Sequence, residues 1–214
     1  PASPASLFSV DLPCFWIDPE ASRRDELITL AQAAGAQLTL DADDPNVVLV
    51  VQPWGNDTAG FCVQRGLDST RCVAIDPLPP LDRHRTLMTS IAATARTRAA
   101  ALALFSTDGT PATLIADSPG FIVQRVLAMI VNIAANIAQR GIASVPDIED
   151  AVRLGLGYPN GPLSWGDEIG AMRVLDILRN LGAATGDSRY RPTLWLRRRA
   201  ELGLSLLEDG VDRG

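Results

Sequence analysis

A chain of 214 residues, 47% hydrophobic and 21% charged, sets 25 acidic residues against 19 basic ones and carries a net charge of −6. That length allows one or two domains around a sizeable core, and the acidic balance excludes a nucleic-acid binder, which needs a basic face to neutralise phosphates. No stretch of about eighteen residues is apolar without a charge or a cap, so a membrane span is not expected either.

Residues 1–6, rich in Pro, Ala and Ser, read as a linker entering a domain, which suggests a chain cut from a longer one. From 7 to 116, strand and helix signals alternate. Cys14–Ile17 is a short apolar strand ended by Asp18-Pro19, and Glu20 to Ala34 is a helix closed by Gly35. Gln37–Leu40 is a second strand candidate. Asn46–Val51 is the clearest strand, continuous and β-branched as expected when both faces are buried. A helix over 57–65, a strand over 71–75, a proline-broken loop, an Ala-rich helix over 94–105 and a strand over 112–115 follow. Such alternation predicts a parallel sheet covered on both faces. Cys14, Cys62 and Cys72 lack metal-ligand spacing and read as small buried thiols of a cytoplasmic protein, with no metal site.

At Asp117 the pattern turns purely helical, which places the domain boundary there and makes 117–208 an all-helical domain followed by a tail at 209–214. Ser118 is expected to cap, and Pro119 to open, one long helix ended by Gly141. Its apolar stripe of Ile122, Val126, Met129, Ile130, Ile133 and Ile137 is expected to be buried against several neighbours. Ser144 opens a helix with a capping-box-like Asp147. Ser164 and Asp167 mark another helix start, leading to Ile169, Met172, Leu175, Leu178 and Leu181. Thr193 to Leu202 is a last short helix whose face is Trp195, Leu196 and Leu202.

A dinucleotide at a parallel sheet needs a glycine turn, so that the backbone can approach the pyrophosphate at a helix N-terminus. The first strand here runs instead into Asp18-Pro-Glu-Ala-Ser-Arg23, with two acids, a proline and no glycine. Asp41 stands where a ribose-binding acid could lie, but reads as a solvated loop acid without that turn. No residue of this chain is therefore assigned to cofactor binding.

The run Asp117-Ser-Pro-Gly-Phe-Ile-Val-Gln-Arg125, with Asn132, Gly141-Ile-Ala-Ser144, Leu154-Gly-Leu-Gly-Tyr-Pro-Asn-Gly-Pro162, Gly166-Asp167, Ile169-Gly170 and Gly186-Asp-Ser-Arg-Tyr-Arg-Pro192, resembles the C-terminal domain of 3-hydroxyacyl-CoA dehydrogenases. The resemblance implies a small degenerate Rossmann-like α/β domain followed by a helical domain of the 6-phosphogluconate-dehydrogenase C-terminal type. It also implies NAD-dependent oxidation of a 3-hydroxyacyl-CoA in fatty-acid or aromatic-acid degradation. In this chain the family's catalytic His falls near Val73, its partner Glu near Arg85 and its Asn at Gln124. No catalytic residue is assigned, and His84 reads as an exposed loop residue. NAD would then belong to the full-length enzyme, held by a catalytic module upstream. Expected partners are that module or a homodimer mate, together with an acyl-CoA substrate. Gln124, Asn132, Tyr158, Trp165 and Arg189 are the substrate or interface candidates. The resemblance implies that Arg189, Arg191 and Arg197–Arg199 could meet an anionic CoA phosphate, but as a charge run they are expected rather to face water or pair with Asp187 and Glu201.

Overall fold

A computed structural model describes residues 12–208. The expected linker at 1–6, residues 7–11 of the sheet domain and the tail at 209–214 lie outside the described residues. The chain forms two compact units, one comprising residues up to Pro53 with Asp57–Ser118, the other Trp54–Asn56 with Pro119 onward.

The first unit is an α/β fold. Strands β1 (Phe15–Ile17), β2 (Val48–Val51), β3 (Cys72–Ile75), β4 (Arg85–Thr89) and β5 (Ala112–Ile115) pair in chain order. All neighbours are parallel except β3 and β4, which are antiparallel. Side chains alternate across a strand. Phe15, Ile17, Val48, Val50, Val73, Ile75 and Leu87 accordingly share one core with helix α1 (Arg24–Ala33) and helix α3 (Ala95–Ser106). The alternate set of Trp16, Leu49, Cys72, Ala74 and Met88 is buried as well. Helix α2 (Thr58–Arg65) is capped twice. Asp57 accepts from Gly60 N–H, and the Asp117 carboxylate accepts from the N–H groups of Thr58 at 2.7 Å and Ala59 at 3.1 Å.

Three expectations for this unit are corrected. Gln37–Leu40 is not a strand but one bridge between Leu38 and Phe15, and Leu40 stands in solvent. The loop expected after Pro77 contains β4, whose buried first residue is Arg85. The sheet is mixed rather than all-parallel, because β4 returns from β3 directly, with no crossover helix, and so must run antiparallel.

The second unit is all helical, with α4 (Val123–Gln139), α5 (Val145–Leu156), α6 (Pro162–Ile169), α7 (Ala171–Thr185), a 3-10 turn at Ser188–Tyr190 and α8 (Leu194–Leu202). Its core joins Val131, Ala134 and Ala135 of α4 to Val174, Ile177, Leu178 and Leu181 of α7, with Trp195, Leu196 and Leu206. Gly166 lets α6 approach closely: a Cβ there would lie 2.4 Å from Leu206 Cδ1 and 2.8 Å from Val131 Cγ1.

Four helical expectations are also revised. Helix α4 opens at Val123 without a side-chain cap, since Gly120 and Phe121 both take positive φ and carry the Phe121 ring into the interior. Its buried face is Gln124, Ala128, Val131, Asn132 and Ala135, whereas Ile122, Val126 and Ile133 are more than half exposed. Small side chains let the neighbouring helices come close, so these three turn outward, while Met129 and Ile137 of the stripe still pack against the core. The helix expected after Ser164 is two helices, broken at Gly170, whose φ of +95° lies outside any helix. On α8, Leu202 points to solvent, and Arg199 takes the inner place with its guanidinium 3.4 Å from the Trp195 ring centre.

Candidate functional site

Ligands of parallel sheets bind at the carboxyl ends of the strands. In this unit those ends are occupied by protein. Asp18, directly after β1, is 2% exposed, and its Oδ1 accepts from Glu20 N–H at 3.0 Å and from Arg65 at 3.3 Å. Arg65 reaches on to Glu20 at 2.5 Å. Gln52, directly after β2, accepts from Arg23 N–H at 2.7 Å. Asp76, directly after β3, is buried and accepts from Leu78 N–H at 3.1 Å. Helix α1 then begins with Asp25 and Glu26 in its first turn. A pyrophosphate seeks free N–H donors and positive charge at this corner. It would meet carboxylates and an arginine already bridging two of them. Asp41 is exposed and serves only its own loop, accepting from Asp43 N–H at 2.9 Å.

The positions expected to match the family's catalytic pair are equally filled. Val73 is fully buried in the middle of β3. Arg85 is 2% exposed and donates to the carbonyls of Leu81 and Phe105, both at 2.7 Å, and to both oxygens of Asp108 at 2.9 and 2.6 Å. Hydrogen bonding from that guanidinium holds the Asp108 carboxyl well below the usual carboxylate range. His84 is exposed and within 3.0 Å of the Thr113 hydroxyl. No carboxylate is recorded beside it among the described residues, so it lacks the orienting partner of a general base. Among the described residues no group of three or more His, Cys, Asp or Glu side chains could hold a metal ion.

In the helical unit the sequence candidates separate. Gln124 is completely buried, and its Oε1 accepts from Gly55 N–H at 2.8 Å. Gly55 itself is pressed to 2.7 Å, counted from an ideal Cβ, against the backbone of Ile177. Asn132 is 6% exposed, donating to Arg191 C=O at 3.0 Å and accepting from Thr193 N–H at 2.9 Å. It ties α4 to the segment that leads into α8. Tyr158 and Trp165 face each other with ring centres 5.2 Å apart. Arg189 is exposed and paired with Asp187 at 2.6 Å. The structure thus gathers Asn132 and Arg189 at one groove and leaves Gln124, Tyr158 and Trp165 outside that groove.

Two more polar residues have comparable roles: Glu149, which carries no sequence signal, and Asp167, which the sequence offers only as a helix start and a motif residue. Glu149 of α5 caps α6, accepting from Leu163 N–H at 2.7 Å and Ser164 N–H at 3.2 Å and from the Ser164 hydroxyl. Gly161 is required there, as a Cβ would fall 2.0 Å from that carboxylate. Asp167 holds the Ser205 hydroxyl and Leu206 N–H.

The sequence family described as 3-hydroxyacyl-CoA dehydrogenase, C-terminal domain, matches residues 120–209. That match takes in the helical unit, less than half of this chain, and makes it similar to the C-terminal domain of those dehydrogenases. The 3-hydroxyadipyl-CoA dehydrogenase of Escherichia coli K12 is 48% identical over 98 residues, which cover 46% of this chain and 20% of that protein. The 3-hydroxybutyryl-CoA dehydrogenase of Clostridioides difficile is 42% identical over 76 residues, covering 36% of this chain and 27% of that one. The crystal structure of 3-hydroxybutyryl-CoA dehydrogenase from E. coli K12 superposes with a TM-score of 0.65 at 33% identity, over 77% of this chain and 34% of that chain. For (S)-3-hydroxybutyryl-CoA dehydrogenase from Ralstonia eutropha the TM-score is 0.68 at 24% identity, over 88% and 65% of the two chains, a likeness of fold. The matched region is thus a fifth to about a quarter of these two curated family members. The two units, a Rossmann-like sheet and a helical domain, share their fold with these dehydrogenases. Among the described residues no helix is long and apolar enough to cross a membrane.

Proposed function

We propose that this chain is the C-terminal part of an NAD-dependent 3-hydroxyacyl-CoA dehydrogenase and serves packing rather than chemistry. The observation that carries this is the pairing of a family-matched helical unit with a sheet whose strand ends are closed by Asp18, Gln52 and Arg65. An upstream module in the cytoplasmic enzyme would hold NAD and move the hydride and proton, while the helical unit of this chain packs beside it and borders the acyl-CoA cleft. The residues here do not fit the dinucleotide, so no step of that reaction runs through them. The part played by this chain is to offer its helical unit to another helical domain, in the same polypeptide or a second copy. The outward stripe of Ile122, Val126 and Ile133 on α4 supports that role, being 57%, 51% and 55% exposed. Stripes of this kind on a soluble protein mark contact surfaces.

Titration of the chain with NADH, followed by fluorescence, tests the closed strand ends: no saturable binding is expected, and micromolar binding overturns the proposal. A second reading, an assembly module that never touches substrate, is favoured specifically by Gln124 and Asn132, whose amides are spent on backbone groups. Substituting Asn132 in the full-length enzyme and measuring KM separates the two. A raised KM with intact assembly would place this chain at the acyl-CoA.

A further inference from the structure

We propose that the groove between α4, the turn at 188–193 and α8 binds a small organic phosphate, a dianionic head carried on an apolar body. The groove encloses about 610 Å³, a volume typical of small-ligand clefts. Met129 and Ile133 of α4 and Leu194 of α8 supply apolar surface, with Ile133 and Leu194 about half exposed. Arg179, Arg189, Arg191 and Arg197 also line it, and no carboxylate does among the described residues.

Counting the counter-charges decides the class of ligand. Glu201 is shared, lying 2.8 Å from Arg179 and 3.3 Å from Arg197. Asp187 holds Arg189, and the Arg191 side chain has no ion pair among the described residues. Asp176 reaches Arg179 only at the 4.0 Å limit. Four guanidinium groups therefore face two close carboxylates, an excess of positive charge on a chain whose net charge is −6. A single exposed arginine binds anions weakly because water and salt screen it. Several converging forks suit the tetrahedral oxygens of a phosphate, which they can engage in bidentate fashion.

The geometry that presents Arg191 is fixed from behind. Asn132 grips Arg191 C=O and Thr193 N–H, and Gln139 accepts from Trp195 N–H at 2.9 Å. The exposed arginine heads are free to adjust while their backbone is not. A ring or short chain on the phosphate would lie against Met129, Ile133 and Leu194. The groove shares Ile133 with the packing stripe proposed above, so ligand binding is measured on the monomer.

Phenyl phosphate is the probe, titrated into the chain at constant ionic strength and at concentrations where sedimentation shows a monomer. Calorimetry and NMR of the arginine Nε–H groups give the readout. Saturable binding with a Kd below about 1 mM is expected, roughly tenfold tighter than inorganic phosphate or benzoate, which lack the body or the second charge. Arg191→Gln should weaken it by about tenfold without changing the melting temperature, because that side chain is exposed. Glu201→Gln should tighten it by freeing Arg179 and Arg197. The proposal is overturned by a response that matched sodium chloride reproduces, by unchanged affinity in Arg191→Gln, or by weaker affinity in Glu201→Gln.

Discussion

The two units use buried polar residues in opposite ways. In the sheet unit they close the strand ends and one strand from within: Asp18 and Gln52 directly after β1 and β2, Arg85 in β4. In the helical unit they join segments distant in sequence: Glu149 to the start of α6, Asp167 to Ser205 and Leu206, and Asn132 to the entry of α8. Much of the family pattern in the helical unit is therefore a packing code. Gly161, Gly166, Asp167 and Asn132 are each explained by what a larger or less polar side chain would break.

Breaking the sheet unit takes one substitution. Arg85→Met strips partners from two buried carbonyls and leaves the solvated Asp108 unpaired, which should cost about 2–4 kcal/mol in urea unfolding. The same pair gives a pH signature. Asp108 titrates lower in the folded protein than unfolded, so the pair stabilises above the ordinary carboxylate range and loses its effect as pH falls. The stability gap between wild type and Asp108→Asn should accordingly shrink between pH 7 and pH ~2, as followed by denaturant midpoints. A constant gap would remove the ion pair from the account of this clamp.

Smaller effects probe the helical unit. Gly166→Val drives a branched side chain into Leu206 and Val131 and should cost about 1–3 kcal/mol, read from the same unfolding curves. Asn132→Leu removes both hydrogen bonds to the 191–193 segment and should cost about 1–3 kcal/mol, with amide exchange rising at Thr193. Ile133→Glu lies at the far end of the scale. Stability should change by less than about 0.5 kcal/mol, because the side chain is exposed. In co-purification, however, the variant should lose its partner helical domain. Unchanged assembly would show that this stripe is not the contact surface.

Local sequence determined much on its own. The helix starts at Asp57, Thr94, Ser144 and Thr193 were legible because a capping side chain bonds N–H groups only three residues away. The strands 48–51, 72–75 and 112–115 were legible from continuous apolar or β-branched runs. The glycine-free turn after β1 and the lone histidine likewise needed no coordinates. Tertiary structure alone decided the rest. The strand at 85–89 begins with a charged residue that belongs inside only because Asp108 and two carbonyls arrive from elsewhere in the chain. The start of α4 moved because Asp117 caps another helix and Gly120 and Phe121 turn left-handed. Ile122, Val126 and Ile133 face outward because helix packing selects small side chains, a choice made by the neighbours and invisible in the periodicity of α4 itself.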